Sequence, residues 1–212
     1  AFNATCGGGL VLNKDVYDMQ PGEALQLINF EPSTEGGYRR LNGTTKYNST
    51  IVPQVSLANE RIQMSAIFND KIIVARGGTV SYGDTSGSWT SLATSQGGTY
   101  TYDFDKFNFS GTSKIIIATG EAAAFTVNTS FAVDVINATG GGTAPTNPKF
   151  VKTFANHVFY GGMSNSTHSI LFSVPFSEDN FTSGSGAGEI KVGDVVTGLK
   201  VFRDELFIFC QR

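Results

Sequence analysis

The sequence predicts an all-β chain built from antiparallel blades of a β-propeller, and three observations carry that prediction. A Phe-led apolar strand recurs four times: Phe68-Asn-Asp-Lys-Ile72-Ile-Val-Ala75, Phe109-Ser-Gly-Thr-Ser-Lys-Ile115-Ile-Ile-Ala118, Phe154-Ala-Asn-His-Val158-Phe-Tyr-Gly161 and Phe202-Arg-Asp-Glu-Leu206-Phe-Ile-Phe209. The copies are evenly placed, since Ile72, Ile115, Val158 and Leu206 follow one another at 43, 43 and 48 residues. Composition agrees: 25 Gly and 17 Phe among 212 residues, with only 16% charged, suit many short strands joined by turns and not a helical bundle.

Each copy reads as a hairpin. Phe ends one strand, a tight polar turn follows, and three or four consecutive apolar residues form an outgoing strand covered on both faces. Periods of about 40 to 50 residues point to propeller blades, small sheets that bury their faces only against neighbours. A further strand is predicted in the first three copies at Thr79-Val-Ser-Tyr82, Ala124-Phe-Thr-Val127 and Ile170-Leu-Phe-Ser173. Trp89, Phe131 and Phe181 are aromatic residues placed to cover a face. Gln96-Gly-Gly98 and Gly140-Gly-Gly-Thr-Ala-Pro145 read as flexible connectors. The longer third interval holds the loop Phe176-Ser-Glu-Asp-Asn-Phe181 and the Gly/Ser-rich residues after it, where a partner contact is expected.

The repeats occupy residues 55–212, and residues 1–54 form a different segment: an extended arm with a short helix and small strands. Leu10-Val-Leu12 is a short strand after three glycines. Asp18-Met-Gln-Pro21-Gly-Glu-Ala-Leu25 has a capping Asp, an early Pro and a first-turn Glu, which predicts one or two helical turns. Leu25–Phe30 alternates as a strand, residues 31–37 turn, and Tyr38-Arg-Arg-Leu41 returns antiparallel.

This opening, from Gly9-Leu-Val-Leu through Pro21-Gly-Glu-Ala and Leu27-Ile-Asn-Phe-Glu-Pro to Gly36-Gly-Tyr-Arg-Arg-Leu-Asn-Gly43, resembles that of bacteriophage tail propeller proteins, the nozzle and head-closure or stabilisation proteins of short-tailed phages. Phe150–Gly162, Ile170-Leu-Phe-Ser-Val-Pro175, Asp179-Asn-Phe181 and Leu199–Phe209 resemble the family's blades and strand pairs. The resemblance implies a non-enzymatic structural protein of the virion tail, with no cofactor. It implies a hexameric ring of identical subunits, contact with a tail adaptor or other tail proteins, and passage of genomic DNA without sequence-specific binding. Family propellers run longer. With Arg212 only a few residues past the fourth strand, an incomplete last blade is expected, finished by further polypeptide or a partner chain.

The remaining residues limit the chemistry. A net charge of −3 gives no footprint for gripping nucleic acid. No apolar run reaches the roughly 20 residues that span a bilayer, so no membrane insertion is expected, and the start lacks a signal-peptide pattern. Ala1 is what removal of an initiator Met would leave. Cys6 and Cys210 read as two buried free thiols of an intracellular protein ahead of a disulfide stapling the ends.

Asp84, Asp103, Asp105, Asp134 and Asp194 are scattered on turns, and the Asp103/Asp105 pair reads as strand-end solvation, not as a glycosidase pair. His157 and His168, eleven residues apart with no Cys nearby, make a poor metal site, and a surface or hydrogen-bonding role is expected of them. The Asn-x-Ser/Thr triplets at Asn3, Asn42, Asn48, Asn108, Asn128, Asn137, Asn165 and Asn180 are a chance product of composition. Ser81-Tyr-Gly-Asp84-Thr-Ser-Gly-Ser-Trp89 is similar to the structural Asp-box turn of sialidase-type propellers. A carbohydrate-binding or glycosidase-type propeller acting in host receptor recognition is the alternative reading, which Tyr82 and Trp89 exposed on one concave patch would support. Candidate subunit-interface residues are Tyr38, Arg39 and Arg40 beside the Gly-Gly turn, with Asn180 and Phe181 in the long loop. For the arginines a structural salt bridge is the leading assignment and a subunit contact the next.

Overall fold

The computed structural model describes residues 8–32, 37–54, 61–109 and 111–211. The chain divides into two compact units, Ala1–Lys46 and Tyr47–Arg212.

In the first unit, β1 (Gly9–Leu10) pairs in parallel with β2 (Glu23–Ala24), and β3 (Phe30–Pro32) pairs antiparallel with β4 (Tyr38–Arg40). The return strand after the Gly-Gly turn is therefore present. The helix expected over 18–25 is not. One 3-10 turn forms earlier, at Val16–Asp18, capped by the Asp15 carboxylate accepting from the Tyr17 N–H. Pro21-Gly22 instead sits at the centre of a β-turn closed by the Glu23 N–H and the Gln20 carbonyl at 3.0 Å, with Gly22 at φ 93°. Pro at the second and a left-handed Gly at the third position are the demands of a type II turn, and they outweigh the helix-start signal. Strand structure expected from Leu25 begins only at Phe30, after Asn29 turns left-handed at φ 62°.

The second unit is all-β, with four antiparallel sheets in chain order. The first holds β5 (Ile62–Phe68), β6 (Lys71–Arg76), β7 (Thr79–Gly83) and β8 (Trp89–Ala93). The second holds β9 (Asp103–Phe109), β10 (Thr112–Ala118), β11 (Phe125–Asn128) and β12 (Val133–Val135). In the third are β13 (Phe150–Phe154), β14 (His157–Met163), β15 (Ser166–Phe172) and β16 (Gly188–Lys191). The fourth contains β17 (Val196–Phe202) and β18 (Glu205–Cys210). Each sheet is a meander of sequential neighbours, compatible with a propeller-like fold, although no closed ring exists among the described residues. Tyr47–Val52 belongs with the first sheet: Trp89 Nε1 donates to the Thr50 carbonyl at 2.9 Å and Arg76 to that of Val52.

The recurring hairpins form where the sequence places them. Phe68 pairs with Lys71, Phe154 with His157 and Phe202 with Glu205, leaving two-residue turns. Both turn residues are left-handed each time: Asn69 and Asp70 (φ 47° and 60°), Ala155 and Asn156 (47° and 66°), Arg203 and Asp204 (49° and 60°). This is the type I′ geometry, whose twist matches that of the strands it joins, and Asn and Asp adopt it at least cost.

Apolar clusters fill the junctions between successive sheets. Met64, Ile73 and Val80 of the first sheet meet Tyr102, Ile115 and Phe125 of the second. Ile116 and Ala124 of the second meet Val158, Tyr160 and Phe181 of the third, and Phe159 and Ile170 of the third meet Val196 and Leu199 of the fourth. The apolar outgoing strands are enclosed on both faces in the first three sheets. In the fourth, Phe207 and Phe209 remain 41% and 52% exposed, because only the face carrying Leu206 and Ile208 packs on the third sheet.

Candidate functional site

The polar residues with the greatest chemical potential converge on the junction between the second and third sheets. Asp103 and Asp105 project from β9, two residues apart and so on one face of the strand. Asp103 accepts from the Val151 N–H at 3.1 Å and from the Lys152 ammonium at 2.6 Å, while Asp105 accepts from both the N–H and the hydroxyl of Thr153 at 2.7 Å. They do not merely solvate a strand end, the role expected of them, because both are bonded to β13. They lace β9 to β13, satisfying β13 amides that lack a strand partner on that side.

A second tie comes from the long loop of the third sheet. The Asp179 carboxylate accepts from the N–H groups of Asn137, Ala138 and Thr139 at 2.8, 2.6 and 2.9 Å, and from the Thr139 hydroxyl. Beside it Glu178 pairs with Lys114 of β10, and its carbonyl accepts from the Tyr160 hydroxyl at 2.7 Å. Burial pushes the Tyr160 hydroxyl well above its ordinary pKa.

Gly140–Gly142 is not a slack connector here. A Cβ on Gly142 would lie 2.3 Å from the Phe181 carbonyl, so the strap and the loop meet backbone to backbone. Phe181 is 6% exposed and packs on Tyr160, with ring centroids 5.7 Å apart, and the Asn180 carboxamide caps the Thr182 N–H at 3.0 Å. The loop expected to meet a partner is thus engaged with its own chain through these residues.

Of the other candidates, Arg39 pairs across the β3–β4 hairpin with Glu31 at 2.7 Å, Arg40 is exposed and Tyr38 is half-buried. Asp84 closes its own turn, accepting from the Ser86 N–H at 2.8 Å and from Lys71 at 2.7 Å. The Lys71 ammonium holds the Asp84 carboxyl well below the usual carboxylate range. Tyr82 lies flat on Phe131, centroids 4.1 Å apart, so it and Trp89 form no open aromatic platform. His157 donates from Nδ1 to the Ser173 carbonyl at 2.6 Å, and His168 meets the Thr167 hydroxyl at 3.0 Å. Asp134 is exposed on β12, and Asp194 accepts from the Val195 N–H.

Among the described residues no group of three His, Cys, Asp or Glu side chains is placed to hold a metal, and no helix is long and apolar enough to cross a membrane. Cys210 is a free thiol but is exposed at the end of β18 and not buried as expected, while Cys6 lies outside the described residues. An open cleft of about 600 Å³ lies between the first two hairpins, lined by Ile67, Asp70, Lys106 and Asn108 among others, with no paired carboxylates in it.

No protein-family model matches the sequence, and no curated protein is similar to it. Among solved structures, BBS1N in its complex with ARL6DN is similar over 82% of this chain and 48% of that one, at 9% identity and a TM-score of 0.47. The chain spans about half the length of that neighbour, and so slight a likeness carries no argument about function.

Proposed function

We propose that this chain is a non-enzymatic structural protein of a phage particle, its sheets serving as blades of a propeller in the tail nozzle or neck. Copies assemble as a hexameric ring around the DNA channel, beside an adaptor or other tail proteins. One structural observation supports the non-catalytic part of this reading: the carboxylates best placed for chemistry, Asp103, Asp105 and Asp179, are bonded to backbone N–H groups of a neighbouring segment. A general acid or base must meet substrate with a free oxygen, and these hold segments of the chain together instead. The viral part is supported by the resemblance of Gly9–Gly43 to tail propeller openings. Weak net negative charge lets DNA slide past, since few counterions are released.

The test is cryo-electron microscopy of the intact particle, with mass measurement of the purified protein. Density for the chain encircling the tail axis is the expected result. A stable monomer that never sediments with particles would overturn the proposal.

A further inference from the structure

In the first three copies the hairpin Phe faces the same way, toward the sheet that follows. Phe68 meets Phe131 of the second sheet edge-on, with centroids 6.3 Å apart and planes at 82°. Phe109 meets Phe176 of the third sheet in the same manner, at 6.2 Å and 77°. Both receiving rings come from the connection between the third and fourth strands of their sheet, and both are held left-handed, Phe131 at φ 61° and Phe176 at φ 59°. A bulky residue adopts that conformation only where its surroundings impose it, so the recurrence marks one docking geometry used twice. Phe154 packs into the third junction.

Phe202 is the fourth member of the series and is 56% exposed. With Phe207 and Phe209 it lines the side of the fourth sheet turned away from Leu206 and Ile208, and the Phe202 and Phe207 rings lie 6.4 Å apart. By position in the repeat this is the same face that the first three sheets bury against a successor. The first sheet does not offer a second copy the matching partner: its third connection, residues 84–88, holds no aromatic residue, and on its side away from the second sheet Val74 and Ser81 are buried, although Ile67 there is 67% exposed. We propose that the Phe202–Phe207–Phe209 face docks a further four-stranded antiparallel sheet of the same repeat. That sheet lies outside residues 1–212 and presents a left-handed aromatic residue from its third connection. The inference is independent of any role in a virus.

The experiment places a photo-crosslinking benzoylphenylalanine at position 207 of the full chain in cells that make it naturally, followed by mass-spectrometric mapping. The expected product joins position 207 to a polypeptide segment outside residues 1–212, near an aromatic residue that precedes a strand. Cross-links confined to residues 1–212, including those between two copies, overturn the proposal, as does the absence of any protein cross-link. Phe207→Glu with Phe209→Glu, probed from a cross-linker at position 202, is expected to cut the yield at least about fivefold, while the purified chain melts within about 2 °C of the parent, as exposed sites allow. Phe207→Ser replaces that pair if it does not fold, and an undiminished yield counts against the proposal.

Discussion

Replacing Asp179 by Ala removes one carboxylate that serves four donors, and its cost can be worked from where those donors sit. Hydrogen bonds to a charged group contribute about 1.5–3 kcal/mol each, so simple addition would give about 6–12 kcal/mol. That total is too high, because the Asn137 and Thr139 sites are exposed and water replaces the lost acceptor there. The Ala138 N–H is half-buried and is left without a partner, at about 1–3 kcal/mol. With a smaller contribution from the wet donors, Asp179→Ala should cost about 3 kcal/mol, which for a chain of this size lowers the melting temperature by about 6–12 °C. Asp179→Asn keeps one acceptor oxygen but turns an NH2 toward Thr139, and should cost about half as much. Far-UV circular dichroism reports all the sheets, whereas fluorescence of Trp89, the one tryptophan, reports the first. Urea unfolding by both probes should show the larger loss in the dichroism. A cost below about 0.5 kcal/mol for Asp179→Ala, the range of ordinary surface changes, would refute the view that this carboxylate holds the junction.

Other outcomes follow from the same structure. Gly142→Ala, at φ 82° and with its Cβ against the Phe181 carbonyl, should destabilise by about 3 kcal/mol or more in the same assay, and a neutral result would mean the strap and loop do not meet as described. Tyr160→Phe should cost about 1 kcal/mol at neutral pH through the lost bond to the Glu178 carbonyl. Because burial raises the folded pKa of Tyr160, stability is full below the ordinary tyrosine value near pH 10 and falls as the unfolded chain ionises above it. Melting against pH should therefore decline less steeply above pH 10 in Tyr160→Phe than in the parent. Asp84 has the opposite sign: its depressed carboxyl stabilises above the ordinary carboxylate value, and that contribution fades as pH falls below about 4. Asp84→Asn should flatten the acid limb of the melting profile. Ala155→Asn relieves a left-handed alanine at φ 47° and should raise the melting temperature by about 1–2 °C, a gain of about 0.5 kcal/mol.

The hairpins were legible in the sequence because their determinants are local. A Phe, a short polar turn and an apolar run lie within eight to ten positions, and no distant contact is needed to read them. The Pro21-Gly22 turn was misread for the opposite reason: a Pro followed by Glu satisfies helix-start chemistry equally well, and only Gly22 going left-handed separates the two. Asp103 and Asp105 were visible as a pair, but their partners lie 48 or 49 residues away on β13, beyond any local pattern. Asp179 stood out only as part of the Asp179-Asn-Phe181 resemblance, and its bonds to Asn137, Ala138 and Thr139, about 40 residues earlier, lie beyond any local pattern, just as the three glycines beside them read as slack. Phe181 was recognised as a covering ring, but the ring in the third sheet that matches Phe131 is Phe176, identified by its shared left-handed backbone.

The uniform orientation of the hairpin Phe residues gives the row of sheets a head and a tail. Each hairpin Phe of the first three sheets is covered by the sheet that follows, so burial of these rings advances one step at a time in the order of synthesis. Stability in such a row is a sum of nearest-neighbour terms, and damage at one seam loosens the two sheets that share it before it reaches any other.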